Sequence, residues 1–338
     1  MAKIRAWAAM GPNQKFVPYE YDPGALKPDE VEIAVRHCGI CHSDLSVLNN
    51  EWGVFPYPYV LGHEVVGEVV ALGQHAKGLQ IGQLVGVGWF CGSCMCCKQC
   101  IAGNQNLCPT VAATIIAHKG GFAEKMRAEW PWVVPLPKSL DPSSAGPLMC
   151  AGTTVFAPLA IYDIKATAHV GIIGLGGLGH LAIQFAKAWG CEVTVFTHTD
   201  AKHAEAKKLG ADHVLSTTDN NAMLSMAGKL DLLIVAVNTP LDWAAFMKTL
   251  APKGRIHFEG LVEKPIEVRA DQLIAYQLDV SGTPTGAPSI IHAMLAFAER
   301  HGVTPMVEHF PMSQINEAFD YLKAGKPRYR VVLDADFH

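Results

Sequence analysis

Between His169 and Trp189 the chain runs through a short apolar stretch, His169-Val-Gly-Ile-Ile173, then Gly174-Leu175-Gly176-Gly177-Leu178-Gly179, then residues with helical periodicity up to Trp189. A Gly-x-Gly-x-x-Gly string means little alone. Between a strand and a helix it makes a tight turn that lets backbone approach a pyrophosphate at the helix N-terminus. The alternation goes on: 192–196 reads as a strand and 201–209 as a helix stopped by Gly210, while 214–215, 232–237 and 255–258 read as strands. Strands alternating with helices predict an α/β fold with a parallel, doubly wound sheet of Rossmann type.

The first 150 residues carry a different pattern. Val31-Glu-Ile-Ala-Val-Arg36 alternates apolar and polar residues, and 65–70 and 84–88 are β-branched runs broken by glycine. They predict short, strongly bent strands. Prolines 56, 58, 131, 135, 137, 142 and 147 are expected in loops rather than helices. Past residue 286 the periodicity predicts a helix over 289–301 and another that Ser313 caps, with Ile315, Ala318, Phe319 and Leu322 on one face. A last strand over 329–333 is expected to return to the first domain.

A chain of 338 residues, half of them hydrophobic and 17% charged, fits two domains with sizeable cores. Its net charge of −4 offers no basic footprint for nucleic acid or an anionic membrane. The N-terminal stretch reads as neither signal peptide nor anchor, and no apolar run approaches the roughly 18 residues of a membrane span. Ten cysteines without an export signal point to a reducing cytoplasm.

Most of those cysteines sit at metal-ligand spacings. Cys94, Cys97, Cys100 and Cys108 have the spacing of a closed four-thiolate zinc site, although Cys91, Cys94 and Cys97 offer a competing frame and Cys96 lies among them. Four thiolates leave no position for substrate, so that zinc would be structural. A second set is scattered: Cys41 in Gly39-Ile-Cys-His-Ser-Asp44, His63 in Gly62-His-Glu64, and Cys150 in Leu148-Met-Cys-Ala-Gly-Thr-Thr154. Two thiolates and one imidazole suit a zinc that keeps one position open and polarises an alcohol or carbonyl oxygen.

The residue ending the second Rossmann strand bears on the dinucleotide. A carboxylate there would bind the ribose 2′-hydroxyl of NAD. The chain has Thr197-His198-Thr199-Asp200-Ala201-Lys202, whose hydroxyls and Lys202 ammonium suit a 2′-phosphate, with Asp200 placed to begin a helix. NADPH is the expected cofactor.

Taken together, Gly39-Ile-Cys-His-Ser-Asp-Leu45, Gly62-His-Glu64, the cysteine lobe, Gly121-Phe-Ala-Glu124, Cys150-Ala-Gly-Thr-Thr-Val155, Gly174-Leu-Gly-Gly-Leu-Gly-His180, Leu209-Gly-Ala-Asp212 and Tyr329-Arg-Val-Val332 resemble zinc-dependent medium-chain alcohol dehydrogenases. The nearest group is the cinnamyl-alcohol-dehydrogenase-like branch, with its bacterial NADPH-dependent aldehyde reductases. The resemblance implies a GroES-like β-rich catalytic domain (1–150 and 287–338, with a zinc lobe at 91–108) and a Rossmann domain (151–286). It selects the 94/97/100/108 frame.

The resemblance also implies roles. Cys41, His63 and Cys150 match catalytic zinc ligands, with Glu64 close to the metal and Asp44 holding the His63 tautomer. Ser43 matches the hydroxyl that takes the alcohol proton. His42 matches a position facing the cofactor phosphates and Thr154 one beside the nicotinamide, with Gly260, Thr285, Gly286 and Arg330 as further cofactor contacts. Trp52, Trp89 and Phe90 fall near pocket positions, which would favour apolar aliphatic or aromatic aldehydes. One departure is Ser46, where many members carry a relay histidine. The implied activity is reversible hydride transfer from NADPH to an aldehyde, with two zinc ions per subunit in a homodimer. The alternatives are an NAD-linked dehydrogenase working oxidatively and a non-catalytic zinc- and nucleotide-binding redox sensor or structural protein.

Overall fold

In the computed structural model the backbone is described for residues 3–53, 57–198, 202–262 and 264–337. Thr199, expected to touch the cofactor, and Asp200 lie outside them. The chain divides into one unit of Met1–Cys150, Gly286–Arg300 and Thr304–His338, and a second of Ala151–Thr285 and His301–Val303.

The first unit is built on a strand, Glu30–Ile40, long enough to serve two partners on one side. On that side Lys125–Glu129 pairs antiparallel with its first half and Arg330–Asp334 antiparallel with its end, and Val307–Pro311 pairs parallel with Arg330–Asp334. On its other side Glu64–Leu72 pairs antiparallel along most of its length, with register shifts at Glu32/Ile33 and Val35/His37. The alternation noted at 31–36 holds here, since Val31, Ile33 and Val35 face the core while Glu32 and Ala34 are half-buried.

Some prolines depart from expectation. Pro142 opens the short helix Pro142–Ala145, capped by Asp141, and Pro131 and Pro147 lie in 3-10 turns. The first turn of a helix needs no N–H from these positions, so proline is tolerated there. Ser313 does not cap the last helix either. A 3-10 turn, Met312–Gln314, precedes Ile315–Lys323, and the Ser313 hydroxyl and N–H donate instead to Asp336.

The second unit is an all-parallel sheet of six strands among the described residues. Its spatial order is His213–Ser216, Glu192–Thr197, His169–Ile173, Leu230–Val235, Leu250–Phe258, Asp279–Gly282. The order therefore reverses at His169–Ile173, the strand that leads into the glycines. The helix Gly179–Trp189 follows, ending at Gly190 in the left-handed conformation (φ 107°). Helix His203–Leu209 starts later than the 201–209 expected, with Ala201 outside the described residues, and stops at Gly210 (φ 114°).

Candidate functional site

Pairing between two strands assembles the first cluster. Gly39, near the end of Glu30–Ile40, lies opposite Glu64, the first residue of Glu64–Leu72. A Cβ on Gly39 would fall 2.1 Å from Glu64 Oε2, so only glycine lets that carboxyl cross the strand. Cys41 follows as N-cap of helix His42–Leu48, His63 precedes Glu64, and Cys150 ends the 3-10 turn Gly146–Met149. One ligand atom from each of Cys41, His63, Glu64 and Cys150 lies within 4.8 Å of the others. The Cys41 and Cys150 sulfurs are 4.0 Å apart, far beyond a disulfide bond.

Asp44 fixes this arrangement. Its Oδ2 accepts the Cys41 N–H at 2.9 Å, and its Oδ1 accepts the Gly62 N–H at 2.9 Å and His63 Nδ1 at 3.1 Å. Asp44, His63 and Glu64 are all fully buried. Nδ1 is thus committed, and His63 Nε2 is buried without a hydrogen-bond partner. Burial opposes charge on the imidazole, but the Asp44 carboxylate outweighs it and raises the ring's proton affinity. Cys41 is driven towards thiolate, chiefly by the Cys150 thiol and then by His63 and Arg330, against burial, while Cys150 is pushed the other way.

Behind the thiols Arg330 donates to Glu64 Oε1. Arg330 starts the strand beside Glu30–Ile40, where Val331 pairs with Ile40. Glu64 Oε2 and Arg330 Nε are also buried without hydrogen-bond partners. A basic ring nitrogen with nothing to bond, two thiols and a clamped tautomer fit zinc, with His63, Cys41 and Cys150 as donors.

Residues around the cluster are distributed unevenly. The Ser43 hydroxyl lies 3.8 Å from the Cys41 sulfur, His42 is exposed, and Ser46 is buried and hydrogen-bonded to the Glu51 carboxylate. Trp89 stands edge-on to the His63 ring at 4.8 Å, and Trp52 stands edge-on to Trp89 at 5.9 Å. Phe90 has a different ring neighbour. It is buried against Trp132 at 5.5 Å, since neighbouring residues entering the strand Phe90–Gly92 point to opposite sides.

The second cluster is local. Cys94, Cys97, Cys100 and Cys108 gather their sulfurs within 4.8 Å, and Cys94 lies 3.9 Å from Cys100 and 3.5 Å from Cys108. Cys91 is apart from them, its thiol turned to the Ala112 carbonyl. The N–H groups of Cys96 and Cys97, with the Cys108 thiol, push Cys94 down to about 6, into the thiolate range at neutral pH. Four sulfurs at these separations suit a closed tetrahedral zinc.

In the other unit the glycine loop is shaped for a ligand. A Cβ at Gly179 would meet the Gly174 carbonyl oxygen at 2.0 Å, so helix and strand close on each other only through glycine. At Gly176 a Cβ would meet nothing within 4 Å, which leaves an open backbone face of the kind a pyrophosphate requires. Lys202 Nζ donates to the Leu175 carbonyl at 2.9 Å, which puts its ammonium at the loop. Thr197 is buried at its strand's end and His198 is exposed. Thr154 is buried in helix Ala151–Ile161, Gly260 follows Leu250–Phe258, and Thr285 and Gly286 stand where the chain leaves this unit for the other.

Residues 27–138 match the family described as alcohol dehydrogenase GroES-like domain, and 177–300 that described as zinc-binding dehydrogenase. Aldehyde reductase AdhA of Synechocystis sp. is 51% identical over 330 residues, covering 98% of each chain. The chain belongs to the zinc-binding dehydrogenases. Within them it falls in the cinnamyl-alcohol-dehydrogenase-like branch. A probable cinnamyl alcohol dehydrogenase 8A of Oryza sativa subsp. japonica is 38% identical over 97% of this chain and 94% of its own. Among solved structures, a cinnamyl alcohol dehydrogenase of Sorghum bicolor superposes with TM-score 0.94 (38% identity, 98% of both chains). The Helicobacter pylori counterpart, solved with NADP(H), gives 0.90 (28% identity, 98% of both chains). The protein is a zinc-dependent alcohol dehydrogenase with a GroES-like and a Rossmann-type domain.

Proposed function

We propose that this dehydrogenase uses NADPH to reduce apolar aldehydes to primary alcohols, with a catalytic zinc on Cys41, His63 and Cys150 and a structural zinc on Cys94, Cys97, Cys100 and Cys108. The carrying observation is the buried, partnerless Nε2 of His63, held beside two thiols by Asp44. Zinc bound there supplies a Lewis acid for a carbonyl oxygen, and NADPH supplies the hydride.

The chain's own residues do the rest. Asp44 keeps the imidazole in one tautomer and one orientation. Trp89 and Trp52 form an apolar wall beside His63 that excludes water and accepts an aliphatic or aromatic side chain. Ser43 Oγ carries the proton to the product oxygen. It draws on exposed His42 and on water, because Ser46 is taken up by Glu51.

Preference for NADPH is supported by the hydroxyl of Thr197 where an NAD enzyme carries a carboxylate, and by the Lys202 ammonium beside the loop. The relatives agree: one is named aldehyde reductase and another was solved with NADP(H). A homodimer is supported by the edge strand Asp279–Gly282 and by large exposed apolar residues in the same unit, Leu261, Ile274, Tyr276 and Val280. A cytoplasmic location is supported by ten cysteines, none in a disulfide. No single helix among the described residues is long and apolar enough to cross a membrane.

The test is steady-state kinetics on an aldehyde panel with both coenzymes, using protein whose metal has been counted. The expected result is two zinc ions per subunit and kcat/KM at least about 10-fold higher with NADPH than NADH. Equal rates with NADH, or full activity with one zinc per subunit, overturn the reading.

A further inference from the structure

One acid in the second unit, half-buried overall but with its carboxyl oxygens enclosed, has no part in what has been described. Glu259 follows the strand Leu250–Phe258. Its N–H donates to the Val235 carbonyl at 3.1 Å, and the Gly260 N–H donates to the same oxygen at 3.0 Å. These bonds hold Glu259 at the carboxyl end of the sheet, beside the end of Leu230–Val235. Both its carboxyl oxygens are buried, and neither has a hydrogen-bond partner or a cationic neighbour in an ion pair among the described residues. Burial alone pushes the acid well above the ordinary carboxylate range. Its two oxygens are hydrogen-bonding sites that no described residue uses.

A polar group closed off without partners destabilises a fold, and such groups persist where something else needs them. The sheet order says what that is. A dinucleotide lies across the carboxyl ends of the strands where their order reverses, its pyrophosphate on the glycine loop and its adenosine ribose by the second strand. Here the reversal is at His169–Ile173 and the adenosine side is Glu192–Thr197. The nicotinamide half must then run the other way, over the ends of Leu230–Val235 and Leu250–Phe258. Glu259 is on that path.

We infer that Glu259 hydrogen-bonds the nicotinamide half of the bound cofactor, through its carboxamide or ribose hydroxyls, and that its carboxyl lacks a protein partner because the cofactor is that partner. This rests on the NADPH reading above. It makes Glu259 a cofactor-positioning residue that neither the glycine motif nor the family motifs single out.

The test compares wild type, Glu259→Gln and Glu259→Leu for binding of NADPH and of 2′,5′-ADP, which carries only the adenosine half, by calorimetry or fluorescence, alongside the melting temperature of the ligand-free protein. Glu259→Leu is expected to raise the NADPH Kd about 10-fold and leave 2′,5′-ADP binding unchanged. Its melting temperature should hold or rise, because an unpaired acid has been removed. Glu259→Gln, which keeps a donor and an acceptor, should stay within about 3-fold of wild type. Unchanged NADPH binding in Glu259→Leu overturns the assignment alone. Equal weakening of both ligands, or a marked fall in melting temperature, also overturns it, because it marks a purely structural role. Wild-type protein that binds no NADPH overturns the cofactor reading and this assignment with it.

Discussion

Asp44 and His63 form a buried pair in which one carboxylate oxygen accepts Nδ1 at 3.1 Å and leaves Nε2 as the ring's only uncommitted atom. An Asp44→Asn variant keeps the shape but loses the charge, and its amide must turn a donor towards one of the N–H groups Asp44 now satisfies. Affinity for the second zinc should fall 10- to 100-fold, about the range for losing such a partner, while the four-cysteine lobe keeps its ion. Metal analysis after dialysis against a graded chelator series checks this. Loss of both ions together would contradict it.

Cys100 is buried among the lobe's sulfurs, in a short helix that Cys97 caps. Cys100→Ala should release that zinc and lower the melting temperature by several degrees, because a structural ion contributes its binding energy to folding. The NADPH Kd should hold, since the glycine loop belongs to the other unit. Calorimetric melting and zinc content, measured together, decide the point. An unchanged melting profile with one ion lost would make the lobe dispensable for stability.

Trp89 meets the His63 ring edge-on, so shortening it removes a wall and leaves the donors in place. Trp89→Ala should lower kcat/KM for aromatic aldehydes about 5- to 10-fold more than for acetaldehyde, the scale of one aromatic pair, with zinc content preserved. A uniform loss across substrates would point to a disturbed metal site instead.

His257 gives a pH signature in the other unit. It is fully buried, with Nδ1 2.9 Å from Ser281 Oγ and Nε2 3.2 Å from Thr283 Oγ1. Burial, helped by Arg255, pushes it down to about 4. Between about 6.5 and 4 the unfolded chain then binds more protons than the folded one, so stability is fully present above 6.5 and lost as pH falls towards 4. The loss attributable to this group by pH 4.5 is about 2.5 kcal/mol. His257→Asn removes it. Urea melts at pH 7 and 4.5 should show a smaller drop for the variant than for wild type, and equal drops would count against the assignment.

How much of this could be read beforehand depends on what kind of residue relationship carries it. The glycine motif and the cysteine lobe are local patterns, and 94, 97, 100 and 108 meet within one short loop. Strand Glu30–Ile40 announced itself by alternation, whereas helix Ala151–Ile161 is buried from Ala151 through Leu159 and contains Pro158, so it shows no amphipathic period. Strand Asp279–Gly282 sits at a sheet edge, half-exposed or exposed throughout, and carried no apolar run. The meeting of Arg330 with Glu64, 266 residues away, follows from the antiparallel register of Val331 on Ile40, which no local pattern encodes. Glu259 left no signal, since the strand before it already carries Lys253, Arg255 and His257; only enclosed carboxyl oxygens without a partner made it legible.

The two candidate metal clusters differ in how far apart their members are along the chain. Cys94 and Cys108 are 14 residues apart, whereas Cys41 and Cys150 are separated by 109. Closing the longer loop in a disordered chain costs about 2 kcal/mol more entropy, before any strand has paired. The lobe can therefore take up its ion on a nascent polypeptide as soon as residue 108 has emerged, while the other ion must wait for the β-sheet to form. Under metal scarcity during synthesis, newly made molecules would be folded, stapled and inert, awaiting only their second atom of zinc.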